Sequence, residues 1–127
     1  MWKLFDYINS RGDNEIADWA RALQKPQRIK LRQKLDMLIQ AGSDLPPQLL
    51  AGTGVPHIYK LKVQGNLKLR PLLCKGTVDN ENEFTLLIGA FEIQWGFDPP
   101  NALEKAVERR EELLLNPNRR CKNERIK

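Results

Sequence analysis

Three consecutive strand-like stretches between residues 59 and 91 constrain the fold most, because no helical pattern interrupts them. In residues 59–64 apolar and polar side chains alternate, which is typical of a strand with one buried face. Residues 67–73 alternate in a similar way, and residues 83–91 are almost continuously apolar. A parallel connection needs a crossover of a dozen or more residues, usually a helix, so strands joined directly pair antiparallel. The sequence therefore predicts an antiparallel meander.

Helical patterns lie on both sides of this meander. A predicted strand at residues 2–8 is followed by helices over 13–23 and 26–42, and the second helix starts at a proline and stops at a glycine. A last helix is predicted from 99 to 115. This order predicts an α+β fold, in which a small antiparallel sheet (a strand, a two-helix hairpin, then a three-strand meander) is completed by a C-terminal helix.

The composition favours one domain. The chain has 127 residues, of which 41% are hydrophobic and 29% are charged. A chain of this size buries enough surface on folding to form one core. We expect a single domain at residues 1–115. The segment 116–127 is basic and lacks apolar periodicity, so we expect it to be a flexible tail.

Several protein classes are disfavoured by simple features. No apolar run approaches the roughly 20 residues that span a bilayer. The N-terminus lacks a cationic region followed by an apolar stretch, so no secretion signal is visible. Cys74 and Cys121 are far apart, and with His57 as the only histidine they form no zinc-ligand pattern. We expect a cytoplasmic protein that has no cofactor, binds no metal and does not contact a membrane.

The formal net charge of +5 is distributed unevenly. Every charged residue from 58 to 75 is basic, inside the predicted meander. Such a cluster on a sheet is a candidate surface for anions or nucleic acid, although an ordinary solvated face would have the same composition. The members of this cluster are Lys60, Lys62, Lys68, Arg70 and Lys75.

The pairing register of the first two strands of the meander decides whether these cations share a face. A two-residue turn would place the lysines of the first strand on one face of the sheet and the cations of the second strand on the other face. A three-residue loop at 64–66 pairs Val63 with Leu67 and Lys62 with Lys68. A slip of one residue moves a whole apolar set to solvent, so we expect the core to select the three-residue loop or an equivalent bulge. The cations then gathered on one face are Lys60, Lys62, Lys68 and Arg70.

Short segments of the chain carry a resemblance to a known family. They are Tyr59-Lys60-Leu61-Lys62-Val63, Gly65, Arg70, Leu86-Leu87-Ile88-Gly89-Ala90-Phe91, Pro99-Pro100 and Glu104-Lys105-Ala106. Together with a helical hairpin that ends at Gly42, they resemble the RelE/ParE superfamily of toxin–antitoxin toxins over roughly residues 1–115. In style the sequence is most similar to the HigB-like, phage-derived branch of that superfamily.

The resemblance implies metal-independent cleavage of mRNA on the ribosome by a type II toxin, with a cognate antitoxin, the ribosome and mRNA as partners. In that reaction a ribose 2′-hydroxyl attacks the neighbouring phosphate, so the site needs groups for proton transfer and fixed positive charge. Toxins of this kind keep two lysines on one strand and an arginine on the next. Lys60, Lys62 and Arg70 stand at those positions as the implied catalytic residues. The implied nucleic-acid contacts are Lys60, Lys62, Lys68, Arg70 and Lys75.

One stretch departs from the family pattern. Family nucleases have further basic residues, and often a proton-transfer residue, after the last strand. Residues 92–100 contain no Lys, Arg, Tyr or His. The alternative is therefore a catalytically degenerate superfamily member, or a prophage protein, that binds nucleic acid or a protein target without cleavage, as the gyrase-poisoning branch does.

Other side chains near this region are given structural interpretations. Glu92 is interpreted as a charge at a strand end and Asp98 as a helix cap, rather than as acid–base groups. Trp95 and Phe97 either stack on an unpaired base or pin the last helix to the core, and the second role is favoured. His57, the obvious substitute for a general base, is interpreted as a loop residue without a catalytic role.

Overall fold

The computed structural model describes residues 1–76 and 82–126. Within these residues the helices are α1 (Glu15–Ala22), α2 (Lys25–Ala41) and α3 (Ala102–Leu115). The strands are β1 (Lys3–Tyr7), β2 (Leu50–Gly52), β3 (Tyr59–Leu61), β4 (Leu72–Lys75), β5 (Glu83–Ile88), β6 (Phe91–Ile93), β7 (Gly96–Asp98) and β8 (Arg120–Lys122). None of these helices is long and apolar enough to cross a membrane.

The main sheet has the strand order β2-β3-β4-β5-β1-β8. Strands β3, β4 and β5 pair antiparallel in sequence order, which confirms the predicted meander. β1 pairs parallel to β5, and α1 and α2 lie in the chain between them. All residues of β5 are buried, as expected for a strand at the centre of a covered sheet. The α+β fold is therefore confirmed, and β6 and β7 form a separate hairpin beyond the sheet.

Helices cover both faces of the sheet. Asp6 of β1 accepts a hydrogen bond of 3.0 Å from Asn14, the N-cap residue of α1. The next residue, Tyr7, donates a hydrogen bond to Glu112 of α3. Because successive side chains of a strand point to opposite faces, α1 and α3 lie on opposite sides of the sheet. The buried stripe of α2 consists of Leu31, Leu35 and Leu38, as its helical spacing predicts.

The register between β3 and the next strand differs from the prediction by two residues. Val63 bridges Leu69, not Leu67, so the loop comprises residues 64–68 instead of three residues. Leu67 lies in this loop and is 47% exposed, although the predicted register placed it in the core. A shift of two preserves which side chains share a face, since the side-chain period of a strand is two. The predicted pairs are wrong, but Lys60, Lys62 and Arg70 still lie on one face of the two strands, where Arg70 is buried instead of exposed.

The C-terminal segment differs from the expected flexible tail. Residues 120–122 form β8, which pairs antiparallel with β1. Arg120 forms a 2.9 Å ion pair with Glu83 of β5, and both side chains are buried. Asn123, which is also buried, donates a hydrogen bond of 2.7 Å to Asp6. These contacts join the segment to the central strands, and Lys127, the last tail residue, lies outside the described residues.

Candidate functional site

The chain segment Lys68–Arg70 lies between two other segments and forms backbone hydrogen bonds to both. Leu69 bridges Val63 on one side and Phe91 on the other. The amide of Arg70 donates to the carbonyl of Ala90 at 2.8 Å, and the amide of Glu92 donates to the carbonyl of Lys68 at 2.8 Å. This arrangement fixes the backbone positions of two predicted cations and of Glu92 relative to one another.

A cleft of about 860 Å³ opens between the loop 64–68 and the β6–β7 hairpin. Lys60 and Lys68 contribute the basic groups of its lining, and Glu92 and Asp98 contribute the acidic groups. The ammonium of Lys60 also lies 5.9 Å from the ring centre of Phe97, within the range of a cation–π contact. The cleft thus combines basic, acidic and aromatic side chains.

Glu92 forms ion pairs with two of the predicted catalytic residues. One carboxylate oxygen lies 3.1 Å from Lys60 Nζ, and the other lies 3.3 Å from an Arg70 guanidinium nitrogen. Partial burial raises the pKa of Glu92, but the Lys60 hydrogen bond and the charges of Arg70, Lys60 and Lys68 outweigh it, so the pKa lies below its ordinary value. Glu92 is therefore ionised at neutral pH and neutralises part of the basic cluster.

Arg70 lies beneath the cleft rather than in it. Its side chain is only 3% exposed. One guanidinium nitrogen donates to the carbonyl of Leu69 at 2.8 Å and to that of Val63 at 3.4 Å. Arg70 therefore binds two neighbouring backbone carbonyls and orients Glu92. The Glu92 carboxylate, and not the guanidinium itself, lines the cleft.

The remaining predicted cations are not all brought together. Lys62 is half-buried on the chain after β3 and is not part of the cleft lining. Lys75 lies at the end of β4, where its ammonium sits 5.4 Å from the Trp2 ring, and it does not line the cleft either. The structure thus brings together Lys60, Lys68 and, through Glu92, Arg70.

Comparison with known proteins adds a structural likeness. No family model matches the sequence, and no curated protein matches it. Among solved structures, the chain is similar to an E. coli toxin RelE in the free state, a variant with two arginines replaced by alanine. The TM-score is 0.55 at 17% sequence identity, and the match covers 86% of this chain and 98% of that chain. The chain has a RelE-like fold. At this level of identity the likeness concerns the fold alone.

Within this RelE-like fold, two structural interpretations from the sequence need correction. Glu92 is not a simple strand-end charge, since it bridges Lys60 and Arg70. Asp98 does not cap the last helix. It ends β7 and lines the cleft, while Asn101 is the N-cap residue of α3. The one signal in the sequence was that Glu92 is the first charged residue after a long apolar strand.

His57 and Trp95 do not line the cleft, whereas Phe97 does. His57 is exposed and has a positive φ of 69°. Trp95, at the turn of the β6–β7 hairpin, is 89% exposed, so it does not pin the last helix to the core. Phe97 is partly buried and packs against the core, and its ring also lies near the ammonium of Lys60. In the described part of the chain no three His, Cys, Asp or Glu side chains are close enough to hold a metal ion.

Proposed function

We propose that the protein is a type II toxin of the HigB-like branch that cleaves mRNA on the ribosome and is neutralised by a cognate antitoxin. One observation carries this proposal. The cleft of a RelE-like fold contains Lys60, Lys68 and the ion-paired Glu92, next to the strand positions where the family resemblance implies catalytic cations. The proposed place of action is the cytoplasm, where ribosomes and mRNA are found.

The proposed reaction needs no metal. The 2′-oxygen bonds to the adjacent phosphorus, the bond from phosphorus to the 5′-oxygen breaks, and a 2′,3′-cyclic phosphate and a free 5′-hydroxyl result. One proton leaves the 2′-hydroxyl and one is added to the 5′-oxygen. Lys60 stabilises the charge that accumulates on the phosphate, and Lys68 holds a neighbouring phosphate. Lys62, which the resemblance implies as catalytic, has no role in this scheme because it does not line the cleft.

Glu92 is the proposed acceptor of the 2′-hydroxyl proton. Its lowered pKa keeps it ionised, and it lines the cleft with about a third of its side chain exposed. Lys60, whose ammonium contacts that carboxylate, is the proposed proton donor to the leaving oxygen. In this scheme Arg70 is a positioning residue for Glu92, because its own guanidinium is buried.

A second candidate function is binding without cleavage. It is favoured by the same carboxylate, because Glu92 neutralises Lys60 and Arg70 where a phosphate would need them. Residues 92–100 also supply no Lys, Arg, Tyr or His. Such a protein would hold nucleic acid or a protein target and inhibit it by occupancy.

Induction of the gene in cells tests the proposal. We expect the wild-type chain to arrest growth and Lys60→Gln to relieve the arrest. The control is Lys122→Gln, which removes the same charge from an exposed position on β8 and should arrest growth like the wild type. Normal growth after induction of a well-expressed wild-type protein would overturn the toxin assignment. If the Lys60→Gln protein still arrested growth, Lys60 would not be a catalytic residue.

A further inference from the structure

Trp95 exposes its indole ring to solvent beside the cleft. Its side chain is 89% exposed, whereas every other aromatic side chain in the described part of the chain is buried or half-buried. We propose that this indole stacks on an unpaired base of RNA, so that the cleft binds the phosphate of one nucleotide and Trp95 binds a neighbouring base. The choice of RNA as the ligand rests on the proposed function.

The β6–β7 hairpin places Trp95 at the edge of the cleft. Gln94 and Trp95 form the turn between its two strands. The chain neighbours of Trp95, Gln94 and Gly96, both line the cleft. Trp95 follows Glu92 by three residues, so their Cα atoms are at most about 11 Å apart. Since Glu92 contacts Lys60, a base next to a phosphate bound at Lys60 has the indole within reach.

Packing and turn geometry do not account for a tryptophan at this position. The ring of Trp2 stacks on Phe84 at a centroid distance of 4.8 Å, and the ring of Trp19 lies 5.8 Å from that of Phe91. Trp95 has no such ring partner among the described residues, so a large apolar surface is left in water. Two-residue hairpin turns favour glycine, asparagine and aspartate instead. A stacked base would cover the exposed indole.

The chemistry of the hairpin suits a base better than a phosphate. Residues 92–100 contain no Lys or Arg, so this segment offers no cation to an RNA backbone. The cations of the cleft lining, Lys60 and Lys68, lie on other segments. Every base has an uncharged face that stacks on aromatic side chains, and such stacking tolerates any sequence. A bound nucleotide strand therefore places its phosphates at the two lysines and a base at Trp95.

RNA affinity at several KCl concentrations tests this proposal. The probe is a short single-stranded RNA of mixed sequence with 2′-O-methyl groups, which cannot be cleaved by the proposed reaction. We expect Trp95→Ala to weaken binding by about 5- to 150-fold, which corresponds to about 1–3 kcal/mol for one stacked base. The slope of log K against log salt should stay at the wild-type value, because no charge is removed. Trp95→Phe should retain most of the affinity.

The matched control is Leu115→Ala, which truncates an apolar side chain that is 83% exposed at the end of α3. This variant should bind RNA like the wild type. A second readout uses the wild-type chain: RNA should quench its tryptophan fluorescence, and most of this quenching should be absent in Trp95→Phe, where the two other tryptophans remain.

Equal affinities of the wild type and Trp95→Ala would overturn the proposal, as would an equal loss in Leu115→Ala or a wild type that does not bind the probe. A loss of affinity accompanied by a smaller salt slope would mean lost phosphate contacts and would also overturn it. Identical quenching in the wild type and Trp95→Phe would contradict stacking at this residue. Growth assays stay separate, because a chain that binds RNA through Trp95 without arresting growth would refute only the proposed function.

Discussion

The carboxylate of Glu92 lies 3.1 Å from the ammonium of Lys60, within a cleft of a RelE-like fold. This pair places an ionised acid next to a cation that the family resemblance implies in phosphate binding. The buried Arg70 holds the other carboxylate oxygen at 3.3 Å. The chemistry of the cleft thus depends on whether Glu92 acts on a substrate or only neutralises the cations.

Replacement of Glu92 by glutamine separates these two roles. Glu92→Gln removes a negative charge from the cleft and keeps the shape of the side chain, so RNA should bind more tightly. If Glu92 accepts the 2′-hydroxyl proton, cleavage should nevertheless be slower, by about 100-fold or more. Affinity for a non-cleavable RNA and single-turnover cleavage are the measurements. Faster cleavage by Glu92→Gln would mean that the carboxylate only masks Lys60.

The pH dependence of stability reports the ionisation of the same group. The pKa of Glu92 is lowered in the folded state from an ordinary value of 4.5. A lowered pKa means that its contribution to stability is present above about pH 4.5 and is lost as pH falls through the folded-state pKa. The difference in unfolding free energy between the wild type and Glu92→Gln should therefore be constant near neutral pH and shrink below pH 4.5. A difference that grows on acidification would contradict the ion pairs.

Lys60 and Arg70 should respond differently to mutation, because one lies in the cleft and the other beneath it. Arg70→Ala removes a buried guanidinium that donates to the carbonyls of Leu69 and Val63 and pairs with Glu92, so the free energy of unfolding should fall by about 2–3 kcal/mol. Lys60→Gln should cost about 1 kcal/mol or less. Denaturant unfolding measures both. Both variants should lose activity, but only Lys60→Gln should remain nearly as stably folded as the wild type. Equal destabilisation by the two substitutions would contradict the burial of Arg70.

The buried ion pair of the C-terminal segment gives a prediction about stability alone. Arg120→Ala breaks a buried ion pair, so we expect the free energy of unfolding to fall by about 3–5 kcal/mol. Lys122→Ala, two residues along β8 and exposed, should change it by about 0.5 kcal/mol or less. Thermal or denaturant unfolding compares the two variants. If Arg120→Ala were as stable as Lys122→Ala, the segment would behave as the flexible tail that its composition suggested.

The sequence predicted those features that depend on local periodicity. Alternation in residues 59–64 identified β3 and its buried face, and the apolar run at 83–91 identified the central strand. The shared face of Lys60, Lys62 and Arg70 withstood an error in register, because a shift of two residues keeps Arg70 on the side of the two lysines. The glycine stop correctly placed the end of α2 at Gly42, which is the C-cap residue after Ala41.

The features that sequence reasoning missed depend on contacts between distant segments. β8 contains three residues without a recognisable pattern, and it is held by β1 and by Glu83, more than 30 residues away. Glu92 has no unusual sequence neighbours, and its role comes from Lys60, which lies on another strand.

Mapping of mRNA ends after induction tests the central claim most directly. Primer extension on cellular mRNA should reveal new 5′ ends at codon spacing within translated regions after wild-type induction, and Lys60→Gln should abolish them. The ends should also disappear when translation initiation on the same mRNA is blocked. Growth arrest by the wild type with mRNA left intact would contradict cleavage and would favour inhibition by binding alone.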